Sequence, residues 1–350
     1  MKSAVILTVY KRYNYIAQAL NSLLRQIILP DQVIVVTDNA DMLRREAPLI
    51  AKIGNLSIIE ANYPQIGKKI SYAIDNLDDV DIVFFLEDDD MFKEDKVEYV
   101  KRVFEKENDI VMLHNSQEYI GINGEKTENF YAKLLKERQP HSDVIITSKN
   151  VGSIYMHYPY FHHNLSSMSI RKDILVKYEP FISGIDITPD MALLFISLLE
   201  GNVLHTSRKL TYFRVGSGIS SYGKITDYNK FLENEHKILC SNRRMLEDFR
   251  KMLKLVANCD NCRTIAEIEI LAKEVYLYLM CGYFNYCNGD KIPPYSSLVF
   301  KCIKYFLKRE MSSSDFIVRL GMISLPLILG KRRGAEFYVK KKFKRYSESK

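Results

Sequence analysis

The sequence predicts an α/β fold: a mostly parallel sheet flanked by helices, followed by a mainly helical C-terminal region. Three observations predict it. Short, almost wholly apolar runs recur at residues 4–9, 33–36, 56–60 and 81–86, the pattern of strands buried on both faces. Segments with apolar residues at helical spacing stand between them. Beyond about residue 225 the periodicity is helical to the end.

The first run, AVILTV, is a buried strand, and Asn14 is placed to cap a helix carrying Ile16, Leu20, Leu23, Leu24 and Ile27 on one face. Pro30-Asp31 makes the turn into the second strand, VIVV. A polar loop at 37–41 and a helix over 42–52 lead to the third strand, LSIIE. Gly67 opens another helix with Ile70, Ile74 and Leu77 on one side, and DIVFFL is the fourth strand. A helix over 97–106 and a strand IVMLHN then lead into YIGINGEKTE, where Asn123-Gly124 signals a hairpin turn. Short strands and aromatic loops fill 150–222, with one helix over 190–200. The expected domains are 1–225 and 226–350, with no internal repeat.

The chain has 350 residues and a formal net charge of +7. No window approaches the roughly 20 consecutive apolar residues of a membrane span, and the apolar start is too short for a signal peptide. A cytoplasmic protein, or one held peripherally at the inner face of a membrane, is expected. All six cysteines lie between Cys240 and Cys302. The Cys259/Cys262 pair lacks a second pair at zinc-ligand spacing, so buried reduced thiols are the simpler reading. The last fifty residues, 301–350, carry a net charge of +10 and the rest −3, which points to an anionic partner for the tail alone.

In parallel sheets ligands bind beyond the carboxyl ends of the strands. Three strands here end on polar groups: Thr8 and Tyr10, Asp38, and the run Glu87-Asp88-Asp89-Asp90. Neighbouring carboxylates repel, and a divalent cation relieves that repulsion. Mg²⁺ or Mn²⁺ is commonly held by one or two carboxylates and completes its shell with water and phosphate oxygens. Alone, the run also reads as a solvated acidic turn at a helix N-terminus.

The wider pattern resembles the family 2 glycosyltransferases of the GT-A fold. TVYKRYNYIAQALNSLLRQ is similar to the family's opening strand and helix, VIVVTDNAD to its second strand, and FFLEDDDMFKEDKV to the strand end bearing its DxD motif. NSQEYIGINGEK, SSMSIRKDIL and PDMALLFISLLEGNVLHTSRKLTYFRVGSGISS follow in the family's order. The similarity covers roughly residues 3–222. It implies a glycosyltransferase that moves a sugar from a nucleotide-sugar donor, UDP-sugar favoured, by metal-dependent single displacement with inversion. Thr8 and Tyr10 match positions lining base and ribose, and Asp38 the acceptor of a hydrogen bond from the base. Asp88 and Asp89 match the DxD-type pair, Asp88 toward ribose or metal and Asp89 as the direct ligand, with Asp90 or Glu87 within one residue of that register. Asp190 matches the general base. The implied cofactor is Mg²⁺ or Mn²⁺, and the implied acceptor a glycan, a lipid-linked group or a protein.

The chain departs from the family at several points. Pro189-Asp190 stands where many members have Glu-Asp, and Asp190 is also read as the N-cap of the helix that follows. Lys68 and Lys69 are the nearest cations where many members have an arginine, and serve either as point charges for a diphosphate or as solvated lysines. Val215-Gly216-Ser217 follows Arg214 where many have a histidine; Arg214 remains a candidate phosphate contact. YPYFHHN (158–164) reads as a packed aromatic loop, and His205 as a strand-edge residue. FIVRLGMISLPLILG followed by KRRGAEFYVKKKFKRY suits an interfacial helix, so an anionic membrane surface is the partner expected for 316–345, with a packed C-terminal helix as the alternative and nucleic acid ranked behind both. A non-catalytic membrane- or glycan-binding protein with a degenerate transferase domain is the competing function. A sugar-phosphate nucleotidyltransferase ranks lower, since TVYKRYNY lacks a glycine-rich phosphate loop.

Overall fold

The computed structural model describes residues 1–217, 227–284 and 292–348. The chain forms two compact units. One comprises residues 1–127, 135–148 and 158–215; the other takes in 128–134, 149–157 and the chain from Gly216 onward. The boundary expected near residue 225, residues 218–221 of the last sequence segment, and Cys287 lie outside the described residues.

The first unit is built on a nine-stranded sheet. Its strands are β1 (Ser3–Thr8), β2 (Gln32–Thr37), β3 (Leu56–Glu60), β4 (Ile82–Glu87), β5 (Met91–Phe92), β6 (Ile110–Ile120), β7 (Val144–Ile146), β8 (Met168–Arg171) and β9 (Asn202–Arg214). Their order is β3-β2-β1-β4-β8-β6-β9-β5, with β7 also on β9. The pairings make β1, β2, β3, β4, β6 and β9 run one way, with β5, β7 and β8 against them. The sheet is thus mostly parallel. β1 has β2 on one side and β4 on the other, so the chain reverses its direction of travel between β1 and β4; a crevice opens at such a switch point.

The predicted strands are present because their apolar side chains are buried on both faces: all of β1 and β2 and nearly all of β4 are inaccessible. Helix boundaries differ more. The helix Ile16–Leu24 begins after Tyr15, and no side chain caps it, so Asn14 is not the cap. Ile27 lies beyond that helix, 64% exposed, its amide hydrogen bonded to the carbonyl of Glu94. The helix expected over 42–52 divides into Ala40–Glu46 and a 3₁₀ turn Pro48–Lys52, since Pro48 has no amide hydrogen to continue the ladder. Asn123-Gly124 makes the expected turn: Gly124 has φ +88°, and Thr127 bonds back to Tyr119.

Gly67 has a different reason for being glycine. It sits in the helix Ile66–Ile74 with ordinary helical backbone, but a Cβ there would meet the Ile182 carbonyl oxygen at 2.1 Å and that of Ile185 at 2.4 Å. Backbone oxygens cannot swing aside as a side chain can. Gly67→Ala is therefore expected to cost about 1–3 kcal/mol by overpacking, read as a lowered denaturant midpoint. An unchanged midpoint would show that the 182–185 segment yields freely.

The second unit is helical: Tyr228–Leu255, Asp260–Phe284, Tyr295–Leu307, Ser313–Leu329 and Lys331–Glu348. Asp227 caps the first of these by accepting the Asn229 and Lys230 amides. The last helix is fastened by Ala335 and Val339, both inaccessible, and by Lys342 on the buried Glu235 at 2.9 Å. Cys259 and Cys262 are buried free thiols. Burial, with Cys259 adding to it, pushes the Cys262 thiol well up from its ordinary value.

Candidate active site

The crevice is bounded by the carboxyl ends of β1, β2 and β4. Thr8 closes β1, paired with Val36 of β2 on one side and Glu87 of β4 on the other. The loop after β1 is strapped to the end of β2. Lys11, in the left-handed region at φ 54°, donates its amide to Asp38 Oδ1 at 2.9 Å, and the Tyr13 hydroxyl reaches the same oxygen at 2.7 Å. Tyr10 offers its ring to the ammonium of Lys69 at 4.8 Å and of Lys11 at 5.1 Å.

Lys69 is buried, which lowers its pKa, while the charges of Asp88, Asp38 and Glu87 pull the other way. The structure thus gathers Thr8, Tyr10, Asp38, Lys69 and the acidic turn. Lys68 goes elsewhere: only half-buried, it lies over the Tyr63 ring at 4.7 Å.

Asp88, Asp89 and Asp90 link β4 to β5, and all three are buried. Arg12, not singled out from the sequence, supplies their nearest positive charge. Its Nε donates to Asp88 Oδ1 at 3.0 Å, a second nitrogen contacts the same carboxylate, and Nη1 lies 2.8 Å from Asp89 Oδ2. Burial works against the guanidinium charge, but Asp89 and Asp88 outweigh it and raise the Arg12 pKa.

Asp90, 1% exposed, accepts the Arg214 amide at 2.9 Å, while its Oδ2 has no hydrogen-bond partner. Burial and mutual repulsion hold these acids up. Asp88 is raised to about 6 mainly by burial, against Arg12; Asp90 is raised to about 7 by burial and then by Asp89; Glu87 is raised well above its usual range by burial and by Asp89.

Two buried cations frame this turn from beneath. Arg214 does not face outward as a phosphate contact. Its guanidinium donates to the carbonyls of Asp89 (2.9 Å), Gly121 (3.0 Å) and Ile122 (2.9 Å) and to Gln18 Oε1 (2.5 Å), and packs on the Tyr15 ring. Lys96 is fully inaccessible, donating to the Ser166 carbonyl and to Thr211 Oγ1. Ser166 in turn receives the Glu87 amide at 2.9 Å. Arg214 was named from the sequence only as a candidate phosphate contact and Lys96 not at all, because each acts through residues far off in the chain.

Asp190 lies in the first turn of the helix Pro189–Glu200, where its carboxylate accepts the Met191 amide at 2.9 Å. The N-cap position is held by Thr188, so Asp190 is not the cap. Asp190 acts electrostatically on His163, whose pKa burial depresses to about 4 against the opposing carboxylate charge. His163 Nδ1 is buried without a hydrogen-bond partner. One short segment bears on both sets of carboxylates: His163 feels the charge of Asp190, while Asn164 and Ser166 work against the rise in the Asp90 pKa. Asn164 has φ 85°, a strained value for a residue other than glycine. The loop before Asp190 is tied to the Lys69 helix by the Ile66 and Gly67 amides on the carbonyls of Asp186 and Ile185.

His205 is not at an edge. It is inaccessible on β9, between β6 and β7, with its Nδ1 2.9 Å from His114 Nδ1. His114 Nε2 faces the His163 carbonyl at 2.9 Å and so carries that ring's proton.

Among the described residues no group of three or more His, Cys, Asp or Glu is placed to hold a metal ion. Mg²⁺ and Mn²⁺ need fewer protein ligands when phosphate oxygens and water complete the shell. The hard oxygens of Asp88 and Asp89, with the unpartnered Oδ2 of Asp90 beside them, fit such an ion.

The family model described as Glycosyl transferase family 2 matches residues 4–195. Among solved structures, S. aureus TarS in complex with UDP is similar at 16% identity and TM-score 0.52, covering 99% of this chain and 89% of that one. TarS in complex with UDP-GlcNAc gives 16% and 0.51, covering 99% and 90%. A mannosyltransferase from Pyrobaculum calidifontis in complex with GDP-Man and Mn²⁺ gives 9% and 0.51, covering 94% and 88%. At these identities the likeness is one of fold. Among curated proteins, none matches the sequence.

Proposed function

The chain belongs to glycosyl transferase family 2 and is a glycosyltransferase, and from that premise we propose that it moves a sugar from a nucleotide-diphosphate sugar, UDP-sugar favoured, to an acceptor hydroxyl with inversion. The observation that supports this reading is that the two sets of carboxylates meet different neighbours. Asp88 and Asp89 are clamped by a cation at the strand ends, whereas Asp190 lies near a neutral imidazole.

Thr8, Tyr10 and Asp38 line the nucleotide, with Lys69 as a point charge toward the diphosphate and Lys68 at the outer rim. Asp88 and Asp89, helped by Asp90, hold a divalent cation, Mg²⁺ or Mn²⁺. When bound, that ion stabilises the charge of the departing diphosphate as a Lewis acid. Holding such an ion would require Arg12 to release Asp88 and Asp89. Asp190 takes the acceptor hydroxyl's proton as its oxygen attacks the anomeric carbon and the sugar–phosphate bond breaks. His163, neutral above about pH 4, lies near Asp190.

The acceptor is a glycan, a lipid-linked group or a protein. No helix among the described residues is long and apolar enough to cross a membrane, and the proposed placement is cytoplasmic and peripheral at the inner membrane face. The test is release of nucleoside diphosphate from a panel of UDP- and GDP-sugars with and without Mn²⁺. Turnover of at least one donor that needs the metal is expected; no turnover of any donor counts against the reading.

A pH dependence follows from the raised carboxylates. A cation binds their ionised form, yet Asp88 is raised to about 6 and Asp90 to about 7, so protons compete with it below neutrality. Cation affinity is expected to fall by about tenfold per pH unit below pH 6 for each proton displaced, measured by Mn²⁺ titration between pH 8 and 5. A flat profile would place the ion on other groups.

A further inference from the structure

The helix Ser313–Leu329 is apolar nearly all round, yet buries only Ile323 and Pro326. Ile317, Val318, Leu327, Ile328 and Leu329 are exposed, Ile328 by 76%. The preceding helix, Tyr295–Leu307, also exposes Phe300, Ile303 and Leu307 at helical spacing. Most exposed large apolar side chains of the described residues lie in this one region.

The turn that follows is sharply built. Gly330, at φ +81°, ends the helix, and Gly334 of the next helix lies against the Leu325 backbone, where a Cβ would come within 2.7 Å. This close crossing presents Leu327, Ile328 and Leu329 and, one turn later, the exposed Lys331, Arg332 and Arg333. The cations occupy the start of the helix Lys331–Glu348, whose own N-terminal dipole is positive.

We infer that this apex, Leu327–Arg333, is an interfacial anchor for an anionic lipid bilayer. Three apolar side chains reach the acyl boundary, and the three cations after them lie at the depth of acidic headgroups. Charge decides against a second copy as the occupant: residues 301–350 carry a net +10, and two such surfaces face to face repel. Ala335, Val339 and Lys342 hold the following helix onto its own unit, so that its exposed face carries Lys340, Lys341, Lys344 and Arg345 as a second basic row. The inference refines the peripheral placement proposed above and stands apart from the transfer chemistry, since lipid binding requires no donor.

The test is co-sedimentation of the full chain with vesicles of phosphatidylcholine alone or mixed with phosphatidylglycerol. The wild type is expected to bind only the mixed vesicles and to release them as salt rises. Leu327→Ser/Ile328→Ser/Leu329→Ser and Lys331→Glu/Arg332→Glu/Arg333→Glu should each weaken binding by at least tenfold; about fivefold is expected for each basic charge lost. All six positions are exposed, so the thermal melt and donor hydrolysis should stay as in the wild type. Equal binding to neutral and anionic vesicles, or binding untouched by both triple variants, would overturn the inference. So would a wild-type dimer that the serine variant converts to a monomer, because a second copy would then cover the apex. Loss of donor hydrolysis in the wild type would strike the transferase reading and leave this one standing.

Discussion

Asp190→Asn is expected to lower sugar transfer by about 10²–10⁴-fold, the range of a lost general base, while leaving donor affinity within a few-fold of wild type. The change keeps the shape of the side chain and an oxygen for the Met191 amide, which Asp190 now accepts at 2.9 Å. What it removes is the ability to accept a proton. Asp190 lies near His163, whose burial keeps the imidazole neutral down to about pH 4. The measurement is kcat for transfer beside donor affinity. Near-normal transfer would sink the assignment, and equal loss of donor affinity would make Asp190 a binding residue.

The second large effect concerns Asp89. Asp89→Ala is expected to abolish metal-dependent donor binding, lowering affinity by more than about a hundredfold, a loss of roughly 3 kcal/mol. Removing one carboxylate takes away the Nη1 contact of Arg12 at 2.8 Å and keeps its hold on Asp88. The guanidinium then holds the one remaining strong ligand, and a cation must displace it with half the opposing charge. Because Asp89 is buried on the turn between β4 and β5, the melt of the variant should be followed alongside. Unchanged metal-dependent donor binding in a folded variant would remove Asp89 as ligand.

The parallel half of the sheet was legible because its strands are buried on both faces, so apolar runs alone mark β1, β2 and β4. The helix ends were less so. Tyr15 precedes a helix with no capping side chain, and Pro48 breaks one by withholding a hydrogen, so local signals at Asn14 and along 42–52 misplace both. His205 could not be placed from its strand alone. Only the pairing of β9 with β6 and β7 buries it against His114.

The carboxylates of the candidate site and Lys69 were legible; Arg12, Lys96 and the part Arg214 plays were not. The acidic run is contiguous, but Arg12 stands 76 residues from Asp88. Arg214 stands 125 from Asp89 and Lys96 stands 70 from Ser166. No periodicity or spacing rule links positions so far apart. One signal was available for Arg12, a cation in the loop directly after the first strand, where the switch-point crevice opens. For Arg214 the family resemblance left a phosphate contact as the candidate role, whereas its hydrogen bonds to the Asp89, Gly121 and Ile122 carbonyls make it the floor of the turn.

The acidic turn as the metal–diphosphate corner of the enzyme is tested most directly by calorimetric titration of UDP and GDP into the wild-type protein, with and without Mn²⁺. The account predicts that one nucleotide binds only when Mn²⁺ is present, and that binding weakens as the pH falls below 6. Tight binding of either nucleotide that ignores Mn²⁺, or no binding of either under any condition, would contradict it.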